Sequence, residues 1–183
     1  MMTQSAPFEI VSHSPEWARA FEEERARLLQ LANCPFLELE HIGSTSVPGL
    51  SAKPVIDIMA SVDGLEDIDA VQSALWALGY EDLDAGFQFR RAFHRPADAD
   101  YPAFNLHIVR SEDWAHKSER LFRDWLKTHP DVARAYQDLK IRIAECGPET
   151  MMQYTRAKGD FIQSAVNDAR RAVGLPERSD WRE

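Results

Sequence analysis

The chain has 183 residues, 44% hydrophobic and 28% charged, with a formal net charge of −9. That length is enough for one domain with a well-buried core, and the composition is ordinary for a soluble globular protein. The acidic balance argues against a nucleic-acid-binding surface, which needs a basic stripe, but leaves room for a local basic pocket. Cys34 and Cys146 stand far apart with no CxxC spacing, so they indicate neither a zinc site nor a disulfide framework; two reduced, mostly buried thiols are expected. No apolar run approaches membrane-spanning length, and residues 1–7 lack a basic-then-apolar signal pattern, so no membrane partner and a cytoplasmic location are expected.

Taken in order, residues 8–13 suit a short strand or extended arm. Ser14-Pro15-Glu16 then reads as a helix start, with Ser14 capping and Pro15 at the first helical position. Trp17, Phe21, Leu28 and Leu31 share one stripe at helical spacing, a packing face. Asn33-Cys34-Pro35 breaks that helix. Residues 36–42 alternate with strand period and lead into Gly43-Ser44. A connection rich in Ser, Thr, Gly and Pro follows, holding Lys53, and then Val55-Ile56-Asp57-Ile58-Met59 is a β-branched run with a carboxylate in its middle. A helix is predicted over 65–78 with Gly79 as its C-cap, an edge strand over 80–83, and strands over 87–94 and 104–109 around a polar turn at 97–102. After Ser111 the chain reads as helices, one around 114–126, one from Pro130 to Gly147, and one over 149–173, packed antiparallel through short connections. This order predicts an α+β fold: a mixed β-sheet with flanking helices (about 1–110) and C-terminal antiparallel helices (about 111–175) in a single domain, with residues 176–183 a frayed tail.

The chemistry concentrates around Asp57. A carboxylate in a strand that wants burial costs several kcal/mol, of the order found for isolated buried charges, unless it is compensated. A metal ion, a lysine such as Lys53, or a place at the solvent-facing rim of the sheet would each do so. Upstream, Gly43-Ser44-Thr45 offers small side chains and hydroxyls suited to an anion. An anion cradle beside a metal-binding carboxylate is what handling a nucleoside triphosphate with Mg²⁺ requires.

The run Glu40-His41-Ile42-Gly43-Ser44-Thr45-Ser46-Val47-Pro48-Gly49-Leu50, followed by Lys53-Pro54-Val55-Ile56-Asp57-Ile58, resembles the signature of the GrpB family, also called UPF0157. That family is similar to nucleotidyltransferases of DNA polymerase β type. There, a Gly-Ser precedes a strand bearing Asp-x-Asp, a neighbouring strand carries a third acid, and the carboxylates hold two divalent ions. The resemblance implies a nucleotidyltransferase-like fold, a nucleoside triphosphate or related small molecule as partner, and a divalent metal, Mg²⁺ with Mn²⁺ or another transition ion as alternatives. The reaction implied is nucleotidyl transfer to a hydroxyl of an unknown acceptor. This sequence departs from the pattern at Met59, which stands where the second acid would and cannot ligate a hard cation.

The resemblance places Asp57 as a metal ligand and catalytic acid, against a structural ion pair with Lys53 or Arg91. His107 falls on the strand that carries the third acid, as a metal ligand or general base, against a hydrogen-bonded, half-buried histidine. Gly43, Ser44, Thr45 and Lys53 would hold phosphates, and Ser44 and Thr45 are equally able to cap a turn. Of Arg90 and Arg91 only one can face the site; Arg91, ahead of Phe93, matches the family's arginine and is preferred. Tyr154 and Lys158, one helical turn apart, would close the pocket over a base or phosphate. A binding module without transfer chemistry is the alternative. GrpB-like domains also occur fused to dephospho-CoA kinase, which suggests an accessory link to coenzyme A metabolism.

Overall fold

Two long strands, β2 (Val55–Val62) and β5 (Ala103–Arg110), run parallel at the centre of the protein, with Asp57 beside Asn105 and Met59 beside His107. β2 is apolar in a near-continuous run because both its faces are covered, whereas β5 alternates, with Asn105 and His107 on one face and Phe104, Leu106 and Ile108 on the other. β1 (Glu38–Ile42) adds antiparallel to β2, β4 (Arg91–Arg95) antiparallel to β5, and β3 (Glu81–Asp82) completes the order β1-β2-β5-β4-β3. The computed structural model describes residues 9–83 and 89–181.

One face of the sheet carries Leu39, Ile56, Ile58, Phe93, Phe104, Leu106 and Ile108 into a single core with Trp17, Phe21 and Leu28 of α1 (Glu16–Leu29) and Leu75 of α2 (Gln72–Ala77). This face also buries Glu24, fully enclosed, against Arg95 at 2.8 Å and the Tyr80 hydroxyl at 3.0 Å. The other face is covered by α3 (Ser118–Thr128), which packs with α4 (Pro130–Glu145) and α6 (Gly159–Ala172), while α5 (Met151–Ala157) packs on α4 and α6. Glu40 of β1 anchors α3, accepting hydrogen bonds from Arg120 and Arg123 at 2.5 to 3.0 Å. The α+β architecture with C-terminal helices is the one the residue pattern predicts.

Several details differ from expectation. The first helix begins at Glu16, and Ser14 Oγ accepts from the Glu16 N–H at 3.3 Å. Of the predicted arm over 8–13, Val11 makes a bridge to Ala52, and Phe8 lies outside the described residues. The helix predicted over 65–78 is a 3₁₀ turn (Leu65–Ala70) followed by the short α2. Its end at Gly79, φ +87°, is as expected. The strand predicted over 87–94 starts at Arg91, with Phe87 and Gln88 outside the described residues. The helix predicted over 149–173 is two helices, meeting at Lys158 and Gly159. Cys34 is half-buried and Cys146 exposed, rather than both buried. The segment expected to fray is hydrogen-bonded along α6 as far as Trp181: Gln163 and Asn167 both donate to the Arg178 carbonyl, and Trp181 N–H donates to Gln163. Trp181 packs into the helical core, an apolar anchor too short to show as a periodic pattern.

Candidate active site

The site forms where β1 ends, where β2 and β5 turn the same face toward the helices, and where α4, α5 and the start of α6 pass over them. Gly43 follows β1 directly and takes φ +70° and ψ −175°, turning the chain into a 3₁₀ turn at Ser44–Ser46. A Cβ at Gly43 would collide with the Asp57 carboxylate, so glycine is required there for conformation and for space. Ser46 Oγ locks the turn by donating to the Gly43 carbonyl at 2.6 Å.

Asp57 accepts a hydrogen bond from Asn105 Nδ2 at 2.8 Å, across the parallel register that puts the two side by side. Asn105 Oδ1 lies 2.9 Å from His94 Nδ1. Because a carbonyl oxygen only accepts, that nitrogen of His94 carries the proton. The chain His94, Asn105, Asp57 therefore orients one carboxylate oxygen. His107, two residues along β5 from Asn105, lies on the same face. Its Nδ1 is buried with no hydrogen-bond partner among the described residues. Burial holds its pKa below the ordinary value; Asp57 and Glu119 favour the imidazolium and Arg90 opposes it.

Two cavities open onto Asp57. One, about 440 Å³, is lined by Ser44, Lys53, Lys140, Tyr154 and Lys158 together with Asn105 and His94. The other, about 330 Å³, is lined by His107, Arg90, Glu119, Phe122, Tyr136, Ile162 and Trp181. Ser44, Asp57, Thr155 and Lys158 border both. In the first cavity the Tyr154 ring lies 4.3 Å from Lys158 Nζ and 5.0 Å from Lys53 Nζ. Lys140 Nζ donates to the Ser51 carbonyl at 2.6 Å. Burial pulls Lys158 down to about 8, with Lys53 adding to the fall and Asp57 opposing it. Burial and the nearby Lys158 bring Lys140 to about 7. Lys53 is lowered by burial and partly restored by Asp57. Three lysines converging with a net shortfall of negative charge form a site prepared for an anion.

Of the residues singled out in the sequence, Gly43, Ser44, Asp57 and His107 all meet at the second cavity, while Lys53, Tyr154 and Lys158 meet Ser44 and Asp57 at the first. Thr45 borders the first cavity but is 3% exposed, and its hydroxyl is committed: it donates to the Val55 carbonyl at 3.2 Å and accepts from His41 Nε2 at 2.9 Å. The preference for Arg91 is corrected. Ala92 is paired with His107 and His94 with Asn105, which puts even-numbered residues of β4 on the site face. Arg91 falls on the opposite face, 2.9 Å from Asp69 and 3.7 Å from Asp82. Arg90, just before β4, lines the second cavity and bonds Glu119 at 2.7 Å. Lys140, Asn105, His94, Glu119, Phe122, Thr155 and Trp181 were not among the predicted site residues. Two carried a readable signal: Lys140, one turn after Tyr136 on the inward stripe of α4, and Asn105, which strand alternation puts on one face with His107.

For a metal, the residues fit one arrangement and not another. Among the described residues no group of three or more His, Cys, Asp and Glu side chains could hold an ion. Met59 is fully buried among Ile42, Val109 and Trp114, so β2 supplies no second acid. A two-ion cluster does not fit. Asp57 could serve as the one carboxylate of a single hydrated divalent ion, since an ion such as Mg²⁺ commonly takes only one or two carboxylates.

The sheet with its Gly-Ser turn and the helices closing over Asp57 define a protein of nucleotidyltransferase-like fold. A structure of a GLD-2/RNP-8 complex shares that fold, with TM-score 0.57 at 13% identity over 91% of this chain and 63% of that one. The chain belongs to the GrpB family, whose model, described as "GrpB protein", matches residues 7–168. The crystal structure of conserved protein GrpB from Enterococcus faecalis superposes with TM-score 0.80 at 30% identity, over 90% of this chain and 99% of that one. The UPF0157 protein YqkA of Bacillus subtilis is 32% identical over 89% of this chain and 47% of its own length. A dephospho-CoA kinase of Mycobacterium leprae is 30% identical over 97% of this chain and 49% of its own. The chain thus spans about half the length of these two relatives. Among the described residues no helix is long and apolar enough to cross a membrane.

Proposed function

We propose that the protein binds a nucleoside triphosphate with a divalent ion and transfers its nucleotidyl group to a hydroxyl on a small acceptor. The observation that carries this is the convergence of Lys53, Lys140 and Lys158 with Ser44 on a cavity that ends at Asp57. Ser44 and the lysines would hold the phosphates, Tyr154 would flank the nucleotide, and Asp57 would hold the ion. The ion, when bound, supplies charge neutralisation on the phosphates. His107, kept neutral by burial, would take the acceptor proton. The acceptor oxygen bonds to the α-phosphorus, the bond from that phosphorus to pyrophosphate breaks, and the hydroxyl proton passes to the imidazole.

Calorimetric titration of the full chain with ATP, GTP, CTP and UTP, each with and without Mg²⁺, tests the nucleotide site. Binding of at least one triphosphate is expected, strengthened by Mg²⁺ in the wild type and indifferent to Mg²⁺ in Asp57→Asn. Absence of binding by all four would overturn the reading. A second reading is favoured by Met59: with no second acid, the nucleotide would be bound as a signal rather than consumed. The likeness to a dephospho-CoA kinase would then suggest a role beside coenzyme A chemistry. Pyrophosphate release in the presence of acceptor separates the two readings.

A further inference from the structure

The two cavities at Asp57 differ in chemistry. The first is dominated by lysine ammonium groups. In the second, Arg90 Nη1 lies 2.7 Å from Glu119 Oε1, with the two side chains only 9% and 16% exposed, so the one cation brought by the strand is cancelled locally. The opposite wall is apolar. Phe122, Tyr136, Ile162 and Trp181 belong to one helical cluster, with the Phe122 and Tyr136 rings edge to face at 5.0 Å. The polar end, at the junction, carries Ser44, Asp57, Thr155 and Lys158, with His107 on the side of the second cavity. A cavity of about 330 Å³ lies at the small end of the range for ligand sites. Lys158 and Asp57 at the junction also border it, so its charged groups balance, Arg90 and Lys158 against Glu119 and Asp57, and leave a phosphate or carboxylate little to gain. A nucleic-acid strand is disfavoured on the same ground, and by the net charge of −9.

We propose that the cavity walled by Arg90, Glu119, Phe122, Tyr136, Ile162 and Trp181 is the acceptor site, taking an uncharged molecule of about one ring's size with a hydroxyl directed at Asp57 and His107. This rests on the first cavity being the nucleotide site. The apolar body lies against the helical wall, its hydroxyl reaches the junction, and the nucleotide approaches the same point from the lysine side.

The test is a ligand-detected NMR titration of the full chain with three probes: 2-phenylethanol, phenyl phosphate and a six-residue oligoadenylate. Each is measured with and without ATP and Mg²⁺. In the wild type 2-phenylethanol should bind, more tightly than phenyl phosphate and without competing with ATP. Ile162→Trp, which fills the cavity, should weaken it by about tenfold, or 1.4 kcal/mol, with ATP binding unchanged. Glu119→Gln, which uncovers the Arg90 charge, should shift preference toward phenyl phosphate, a reversal that general loss of structure would not produce. Competition between 2-phenylethanol and ATP, indifference to Ile162→Trp in a folded variant, or preference of the wild type for either anionic probe would overturn the proposal. Should ATP fail to bind while 2-phenylethanol binds and responds to both variants, the nucleotide reading and the acceptor role fall, and the second site stands.

Discussion

Gly43 stands against Asp57 with no room for a side chain between them. Gly43→Ala would force a side chain into left-handed backbone and into the Asp57 carboxylate at once. It should cost about 1–3 kcal/mol, measured by urea unfolding, and should abolish the Mg²⁺ dependence of nucleotide binding. His41 makes a different kind of prediction. It stacks on Phe21 at 4.9 Å and donates from Nε2 to Thr45. Burial, reinforced by Lys127 and Arg123, pulls it down to about 4. The unfolded chain takes up this proton near pH 6.5, whereas the folded protein resists it until about pH 4. Stability is therefore present above pH 6.5 and is lost as pH falls through that window, by up to ~3 kcal/mol. The buried His107 acts in the same direction. His41→Gln, which keeps a donor for Thr45, should flatten the loss of melting temperature between pH 6.5 and 4.

Among the elements, α3 depends on one carboxylate. Burial raises the pKa of Glu40, but hydrogen bonds from Arg120 and Arg123 outweigh this and hold it below the ordinary carboxylate value. Glu40→Gln would leave Arg120, 18% exposed, without its counter-charge and Arg123, 10% exposed, with Asp124 alone. A loss of about 1–3 kcal/mol is expected, with α3 amides exchanging faster than those of β5. Strand β4 decides which arginine matters. Arg91→Ala should leave nucleotide and 2-phenylethanol binding unchanged, while Arg90→Ala should alter the second cavity. The discontinuity between α5 and α6 also has a use. Lys158 sits at that break, where its ammonium reaches the Tyr154 ring and both cavities.

At the scale of the whole molecule, the proposed nucleotide site joins the sheet, which brings Ser44, Lys53 and Asp57, to the helices, which bring Lys140, Tyr154 and Lys158. Its charge depends on lysines brought to about 7 and about 8 by burial. As pH rises past these values the amines lose their protons and the attraction for phosphate weakens. Affinity for the triphosphate should therefore fall between pH 7 and 9. Binding at pH 8 should take up protons, seen as a dependence of the calorimetric heat on buffer ionisation. A heat independent of buffer would mean that Lys140 and Lys158 do not meet the ligand.

The sequence by itself determined the α+β class and the family, and it singled out Gly43, Ser44 and Asp57. These features are local: strand alternation, a glycine where a turn must reverse, a carboxylate inside an apolar run. His107 came to them through the family resemblance alone. The face of β4 could not be read locally, because the parity of Arg90 and Arg91 is set by the pairing of Ala92 with His107 across the sheet. Trp181 escaped for a related reason. It looks like an ordinary tail residue until it packs against the helices, and only the tertiary structure supplies those partners. The division into a cationic and a charge-balanced cavity belongs to the tertiary structure too, since Arg90 meets Glu119, and Lys158 meets Asp57, across gaps in sequence that no periodicity spans.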